Sequence, residues 1–441
     1  MSDYISELIS DKIAKIKEEG NLYSAGRVLR IRDYILEVQG LENVAFMERV
    51  EIGNKAIGYV NAIRENSVMV AILKQYDDIY VNDEVIATGH EFKAEFSMES
   101  FGHIVDMFGV DQMNGKRFED TVEVPIETAV PGIMQRTQVT RPMLTGVSGI
   151  DMLYPIGRGQ RQLIIGDKRT GKTQIALDAI VNQRGENTIC IYVAIGKTKK
   201  NVKELYEQLA ARGAMEYTII LVAANGEKPT VLSITPAVAM SIAQKFMYQG
   251  LDVLLILDDL KRHADVYREI SLLIGKEPGR DAYPSDIFYT HARLLEQGCQ
   301  HVGGGSITVL PIMETRGEDI TDYISTNVIS ITDGQIVLSK KNFDRGQKPA
   351  INYGLSVSRL GATVQNKKMK KVGAKLRREL LSYLETREVY ELANVEEMSP
   401  ELQKKLQLGQ QMLENLNQPK YSPRTQDQMI EIFADIIGEL K

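Results

Sequence analysis

Gln162-Leu163-Ile164-Ile165 runs directly into Gly166-Asp167-Lys168-Arg169-Thr170-Gly171-Lys172-Thr173, and the reading of this stretch decides the fold. A short apolar run predicts a buried strand, and the eight residues after it are a complete GxxxxGK[ST] opening a predicted helix. The spacing has a mechanical reason. The glycines allow a tight turn whose N–H groups point inward at phosphate oxygens, and the following helix adds the positive end of its dipole. Lys172 is expected to neutralise the β and γ phosphates, and Thr173 to offer its hydroxyl to Mg²⁺. The expected cofactors are therefore ATP or ADP with Mg²⁺.

A P-loop fold also needs a carboxylate at the carboxyl end of another buried strand. Val253-Leu-Leu-Ile-Leu257 followed by Asp258 supplies it, with Asp258 expected to hold Mg²⁺ through water. Asp259 either joins the same polar cluster or caps the next segment. Hydrolysis further needs a group that orients or deprotonates water, in ring ATPases usually a Glu just after the strand beside the P-loop strand. Ile189–Ala194 is read as that strand. Ile195-Gly196-Lys197-Thr198-Lys199-Lys200 follows it without a carboxylate. A charged ammonium at Lys197 cannot act as the base, though it can help retain a nucleotide.

Outward from this core, unbroken apolar runs at Thr188–Ala194, Thr218–Ala224 and Ser306–Pro311 alternate with longer helical stretches, which predicts a mostly parallel α/β sheet buried on both faces. Between about Gly26 and Ala87 apolar and polar residues alternate, as in Arg27-Val28-Leu29-Arg30-Ile31, punctuated by Gly40, Gly53-Asn54 and Asn82-Asp83. That pattern predicts a small antiparallel sheet or barrel. Residues 1–20 read as a polar amphipathic helix without signal-peptide organisation. Past about Thr363 the apolar spacing becomes helical, and Lys367, Lys368, Lys370 and Lys371 read as a solvated helix face. The expectation is three domains: residues 1–95, a helix and β-barrel; residues 96–362, a P-loop α/β domain; and residues 363–441, a helical domain.

The composition narrows the function classes. The chain has 441 residues, 43% of them hydrophobic and 25% charged, and a formal net charge of -6. These values fit a globular protein and argue against nucleic-acid binding, which favours a basic excess. Cys190 and Cys299 are isolated, which suggests neither a disulfide framework nor a zinc site. None of the pairs among His90, His103, His263, His291 and His301 has the i, i+4 spacing of a helical metal pair. The Val253–Leu257 run is far shorter than the roughly 20 residues needed to span a bilayer, so membrane connection is expected only through partners.

Pro155-Ile-Gly-Arg-Gly-Gln-Arg161 ahead of the P-loop resembles the alpha subunit of F-type ATP synthases. Gly279-Arg-Asp-Ala-Tyr-Pro-Ser-Asp-Ile-Phe-Tyr289, Asn327-Val-Ile-Ser-Ile-Thr-Asp-Gly-Gln335 and Pro349-Ala-Ile-Asn-Tyr-Gly-Leu-Ser-Val-Ser-Arg359 are similar to that family and in its order, as is Tyr421-Ser-Pro423. The resemblance implies a hexameric ring in which alpha subunits alternate with catalytic beta-type subunits around a gamma-type central stalk. It also implies a delta-type peripheral stalk at the N-terminus and a peripheral place on the cytoplasmic side of a bacterial cell membrane. Alpha subunits bind Mg-ATP without turning it over. By position, Arg359 matches the arginine that reaches the neighbouring catalytic site, Ser330 the serine beside that site, and Gln418 a glutamine near the adenine. Ser330 reads as ending a strand.

Lys197, Arg169 and Lys348 stand where that family usually has Gln, Gln and Arg, and its second adenine-side glutamine is replaced around Pro419-Lys420. The family also usually continues beyond the position of Lys441, which suggests a C-terminally shortened, divergent relative. A competing reading is an autonomous ring ATPase, an export motor or helicase, with its own general base.

Overall fold

The computed structural model describes residues 24–389 and 399–438. The amphipathic helix expected over residues 1–20 lies outside the described residues. Six strands, β1 (Ala25–Arg32), β2 (Ile35–Gln39), β3 (Glu48–Ile52), β4 (Ala56–Ile63), β5 (Val68–Gln75) and β6 (Glu84–Glu91), close into a barrel in the order β1-β2-β5-β4-β3-β6. Alternation places Val28, Leu36, Val38, Val50, Ile52, Val60 and Val70 in its core.

The middle of the chain forms a sheet from β7 (Ile104–Val105), β8 (Leu163–Asp167), β9 (Thr188–Ile195), β10 (Thr218–Ala223), β11 (Asp252–Asp258), β12 (Ser306–Thr315), β13 (Gly334–Leu338) and β14 (Val357–Ser358). Their order is β14-β13-β8-β12-β11-β9-β10-β7, parallel except for β14. Short strands Arg136–Thr137 and Gln300–His301 lie off this path. Each apolar run read from the sequence is a strand. The central ones are buried on both faces: alternate residues of β11 enter two clusters, Val253, Leu255 and Leu257 in one, Leu254 and Ile256 in the other.

The helices that concern the site are α1 (Lys172–Val181), α2 (Lys199–Ala210), α3 (Pro229–Tyr248), α4 (Leu260–Leu273), α5 (Ile287–Leu295) and α6 (Tyr323–Ile331). Three more, α7 (Lys367–Val389), α8 (Pro400–Leu416) and α9 (Gln426–Ile436), make the helical end of the chain, and Lys367, Lys368, Lys370 and Lys371 are exposed on α7. Gly373 lets α7 approach the preceding domain: a Cβ there would stand 2.5 Å from the Met152 carbonyl oxygen. No helix among the described residues is long and apolar enough to cross a membrane.

Candidate functional site

The P-loop leaves the carboxyl end of β8 and enters α1 at Gly171, whose φ of 101° is left-handed. Gly166 is required by space: a Cβ on it would meet the Leu338 carbonyl of β13 at 2.5 Å. The Asp167 carboxylate accepts from the Thr315 hydroxyl at 2.6 Å and the Glu318 N–H at 2.9 Å, which fastens the loop to the end of β12. Thr170 Oγ1 donates to the Asp167 carbonyl at 2.7 Å. The ammonium of Lys172 is buried under the loop and donates to the carbonyls of Gly166 and Asp167 at 2.8 and 2.7 Å. Burial lowers its pKa, while Asp259, Glu314 and Asp258 resist that shift. Lys168 and Arg169 stay exposed on the outer side of the turn.

Asp258 ends β11 with no exposed surface. Its Oδ2 accepts from Thr173 Oγ1 at 3.0 Å and from the Tyr192 hydroxyl. Its Oδ1 receives no aligned hydrogen bond, and Lys197 Nζ lies against it as an ion pair at 2.7 Å. Burial opposes the charge on Lys197, yet the Asp258 carboxylate outweighs it and holds the ammonium above its ordinary pKa. Asp259 does both things expected of it: it caps α4 by accepting from the Lys261 N–H at 2.6 Å, and it lies buried beside Asp258. Burial and the Asp258 charge raise its carboxyl to about 7. With its proton on Asp258, the Thr173 hydroxyl keeps its lone pairs for a cation, and the carboxylate behind it fits the water shell of Mg²⁺.

The expected neighbour of the P-loop strand is corrected here. Strand β9 does not lie beside β8; β12 and β11 stand between them, because crossovers rather than chain order decide neighbours. Strand β9 instead pairs with β11, with Ala194 opposite Asp258, and this delivers Lys197 to that carboxylate. The true neighbours of β8 are β12 and β13, and β12 carries a carboxylate, Glu314, in register with Gly166. Sequence reasoning missed it by ending the strand at Pro311, although β12 continues to Thr315.

A cavity of about 680 Å³ opens on the other side of the loop, lined by Thr170, Gln174, Asp178, Phe343, Pro349 and Gln418 among others. Its size suits a base and ribose. Gln418 is buried, and its amide is engaged within the protein: Oε1 accepts from Ser148 N and Oγ at 3.0 Å, and Nε2 donates to the Gly146 and Ser422 carbonyls at 2.6 Å. Lys348 and Lys420 also line this cavity.

Ser330 does not end a strand. Asp322 caps α6 by accepting from the N–H groups of Ile324 and Ser325 at 3.0 Å, so the segment winds into a helix, with Ser330 in its last turn donating to the Asn327 carbonyl at 2.6 Å. The Arg359 guanidinium caps the other end of α6, donating to the Ile329 carbonyl at 3.2 Å and the Ser330 carbonyl at 3.5 Å. Both residues are exposed. They sit at the amino end of the sheet, since Ser358 pairs with Gly334 and Arg359 N donates to the Asp333 carbonyl. Gly166 pairs with Leu338 at the carboxyl end. At about 3.3 Å per residue, Asp333 and Leu338 are roughly 17 Å apart along the strand.

Comparison with known proteins matches residues 24–89 to the beta-barrel domain of the ATP synthase alpha/beta family, 146–358 to its nucleotide-binding domain and 365–440 to the C-terminal domain of the alpha/beta chain. The chain is 42% identical over 439 residues to ATP synthase subunit alpha of Lactobacillus johnsonii. It is 42% identical over 436 residues to that of Macrococcus caseolyticus and 41% identical over 436 residues to that of Pediococcus pentosaceus. Each match covers 98% of this chain and 86% of the relative.

Proposed function

The chain belongs to the ATP synthase alpha/beta family, on the alpha-subunit side, and we propose that it is a non-catalytic, nucleotide-binding subunit that lends Arg359 to a catalytic neighbour. The observation that carries the reading is the placement of Arg359. It is exposed, held with Ser330 at the end of the sheet opposite the chain's own P-loop, and so presented outward. A guanidinium delivered in trans stabilises charge on the transferring phosphoryl oxygens, a contribution of about 10³ to 10⁵ in rate.

In the chain's own site, the N–H groups of Gly166 to Thr173 and the Lys172 ammonium would hold the phosphates of ATP or ADP, with Gln418 in the wall of the base cavity. Thr173 directly and Asp258 through water would hold Mg²⁺, which neutralises phosphate charge when bound. Lys197, held charged against Asp258, cannot act as a base, which supports nucleotide retention over turnover. The partners are a beta-type subunit in an alternating ring, a gamma-type central stalk and a delta-type peripheral stalk. The complex sits peripherally on the cytoplasmic side of a cell membrane and couples ATP synthesis or hydrolysis to ion transport. Residues 1–95, 96–362 and 363–441 act as its collar, nucleotide and helical domains.

Glu314, beside the P-loop and in register with Gly166, favours a second reading, an autonomous ATPase. ATP hydrolysis by the chain alone and with its beta-type partner separates the two. The first reading expects activity only with the partner, nearly abolished by Arg359→Ala and much less affected by Lys172→Ala. Activity of the isolated chain that is lost in both Lys172→Ala and Glu314→Gln establishes the second.

A further inference from the structure

The Asp258 carboxylate is buried and approached from two sides by different chemistry. On Oδ2 it takes the Thr173 and Tyr192 hydroxyls, and on Oδ1 it faces the Lys197 ammonium at 2.7 Å. Lys197 is also the wall between two spaces. One is a cavity of about 200 Å³ lined by Thr173, Tyr192 and Asp258, the other a cleft of about 510 Å³ lined by Lys168, Asp259 and Glu314. The second carboxylate, Asp259, is committed to the α4 N-terminus through Lys261 N. A fixed positive charge therefore already compensates the carboxylate that would otherwise attract a hydrated divalent cation.

We infer that Lys197 stands in for much of the divalent cation's role at this site, so that the chain binds nucleotide with little dependence on Mg²⁺. The inference rests on the nucleotide-binding reading above. The physical argument has two parts. A cation placed between Thr173 and Asp258 comes close to the Lys197 ammonium and is repelled by it in a poorly solvated setting. When Mg²⁺ is removed, the same ammonium leaves Asp258 compensated, so bound phosphates are not set against an unpaired buried carboxylate. A neutral amide at position 197 does neither.

The test is equilibrium binding of ATP to the purified full chain, with Mg²⁺ and with EDTA, for wild type, Lys197→Gln and Lys172→Ala. Wild type is expected to weaken by no more than about 3-fold in EDTA and Lys197→Gln by about 10-fold or more, the latter equivalent to ~1.4 kcal/mol. Mn²⁺ serves as the metal probe in a second measurement. Its electron paramagnetic resonance signal should report tighter Mn²⁺ binding to ATP-loaded Lys197→Gln than to ATP-loaded wild type. A wild-type dependence on Mg²⁺ of more than about 3-fold overturns the inference even if the variant does not fold, as does equal dependence in wild type and Lys197→Gln. Failure of wild type to bind ATP in either condition, with no difference from Lys172→Ala, overturns the nucleotide-binding reading itself and is distinguishable because metal plays no part in it.

Discussion

At the residue scale, two P-loop glycines are glycine for different reasons, and their alanine variants should fail differently. Gly166→Ala drives a methyl into the backbone carbonyl of Leu338, which belongs to a paired strand and cannot yield. Overpacking of that kind costs ~2–3 kcal/mol, read as a lower urea midpoint, with nucleotide affinity falling as β8 and β13 part. Gly171→Ala meets open space but must keep φ near 101°. The variant should lose ~1–2 kcal/mol and show weakened ATP binding in a direct titration. The placement of these glycines, Lys172 and Thr173 on one loop was legible because the motif is contiguous, and that of Asp258 because it ends a plain apolar run. Lys197 was legible only as the absence of a base. Its ion pair depends on β9 lying beside β11, a pairing that no local pattern encodes. Glu314 escaped for the opposite reason: Pro311 reads as the end of the strand, although Ile312 and Met313 carry the buried apolar run on and the strand ends only at Thr315.

At the element scale, α4 and α5 meet through a pair of histidines that their sequence spacing hides. His263 Nδ1 lies 3.1 Å from His291 Nε2, both are buried, and His263 Nε2 contacts the Ser233 carbonyl at 3.0 Å. Burial lowers His263 to about 4, and burial together with the neighbouring His263 holds His291 well below its ordinary value. The folded values thus lie below the unfolded value near 6.5. Stability from this pair is therefore complete above about pH 6.5 and lost as pH falls toward 4, by at most ~1.4 kcal/mol per pH unit for each group. The carboxyls of Asp151 and Asp259, raised to about 6 and about 7, act in the other direction, so a comparison of variants is needed to isolate the pair. The fall in Tm between pH 7 and pH 5 should be smaller for His263→Gln/His291→Gln than for wild type. Strand and helix identities were largely readable at this scale, since β11 is a plain apolar run and α7 an amphipathic one. Ser330 was misplaced because Val328-Ile-Ser-Ile331 carries β-branched residues that also suit a strand, and the Asp322 cap decides for the helix.

At the scale of the whole molecule, Gln418 joins the helical end of the chain to the nucleotide domain. Gln418→Ala leaves Ser148, Gly146 and Ser422 without their partners in a buried setting, at a cost of ~2–3 kcal/mol. The expected outcome is a lower denaturation midpoint, faster proteolysis within residues 399–438 and weaker ATP binding, because the cavity wall moves. The sequence suggested Gln418 near the base by resemblance but held no sign of this buried network, whose Ser148 and Gly146 partners lie some 270 residues away. The three-part architecture was readable because each part has its own periodicity, whereas the sheet order came only from the structure. The positions of the P-loop and Arg359, at opposite ends of one sheet, give the molecule a direction. On the proposed reading of Arg359, each subunit gives from one end of its sheet and receives at the other, and a head-to-tail contact of that kind repeats around a rotation axis until it closes. The two ends of one sheet then become a giving face and a receiving face.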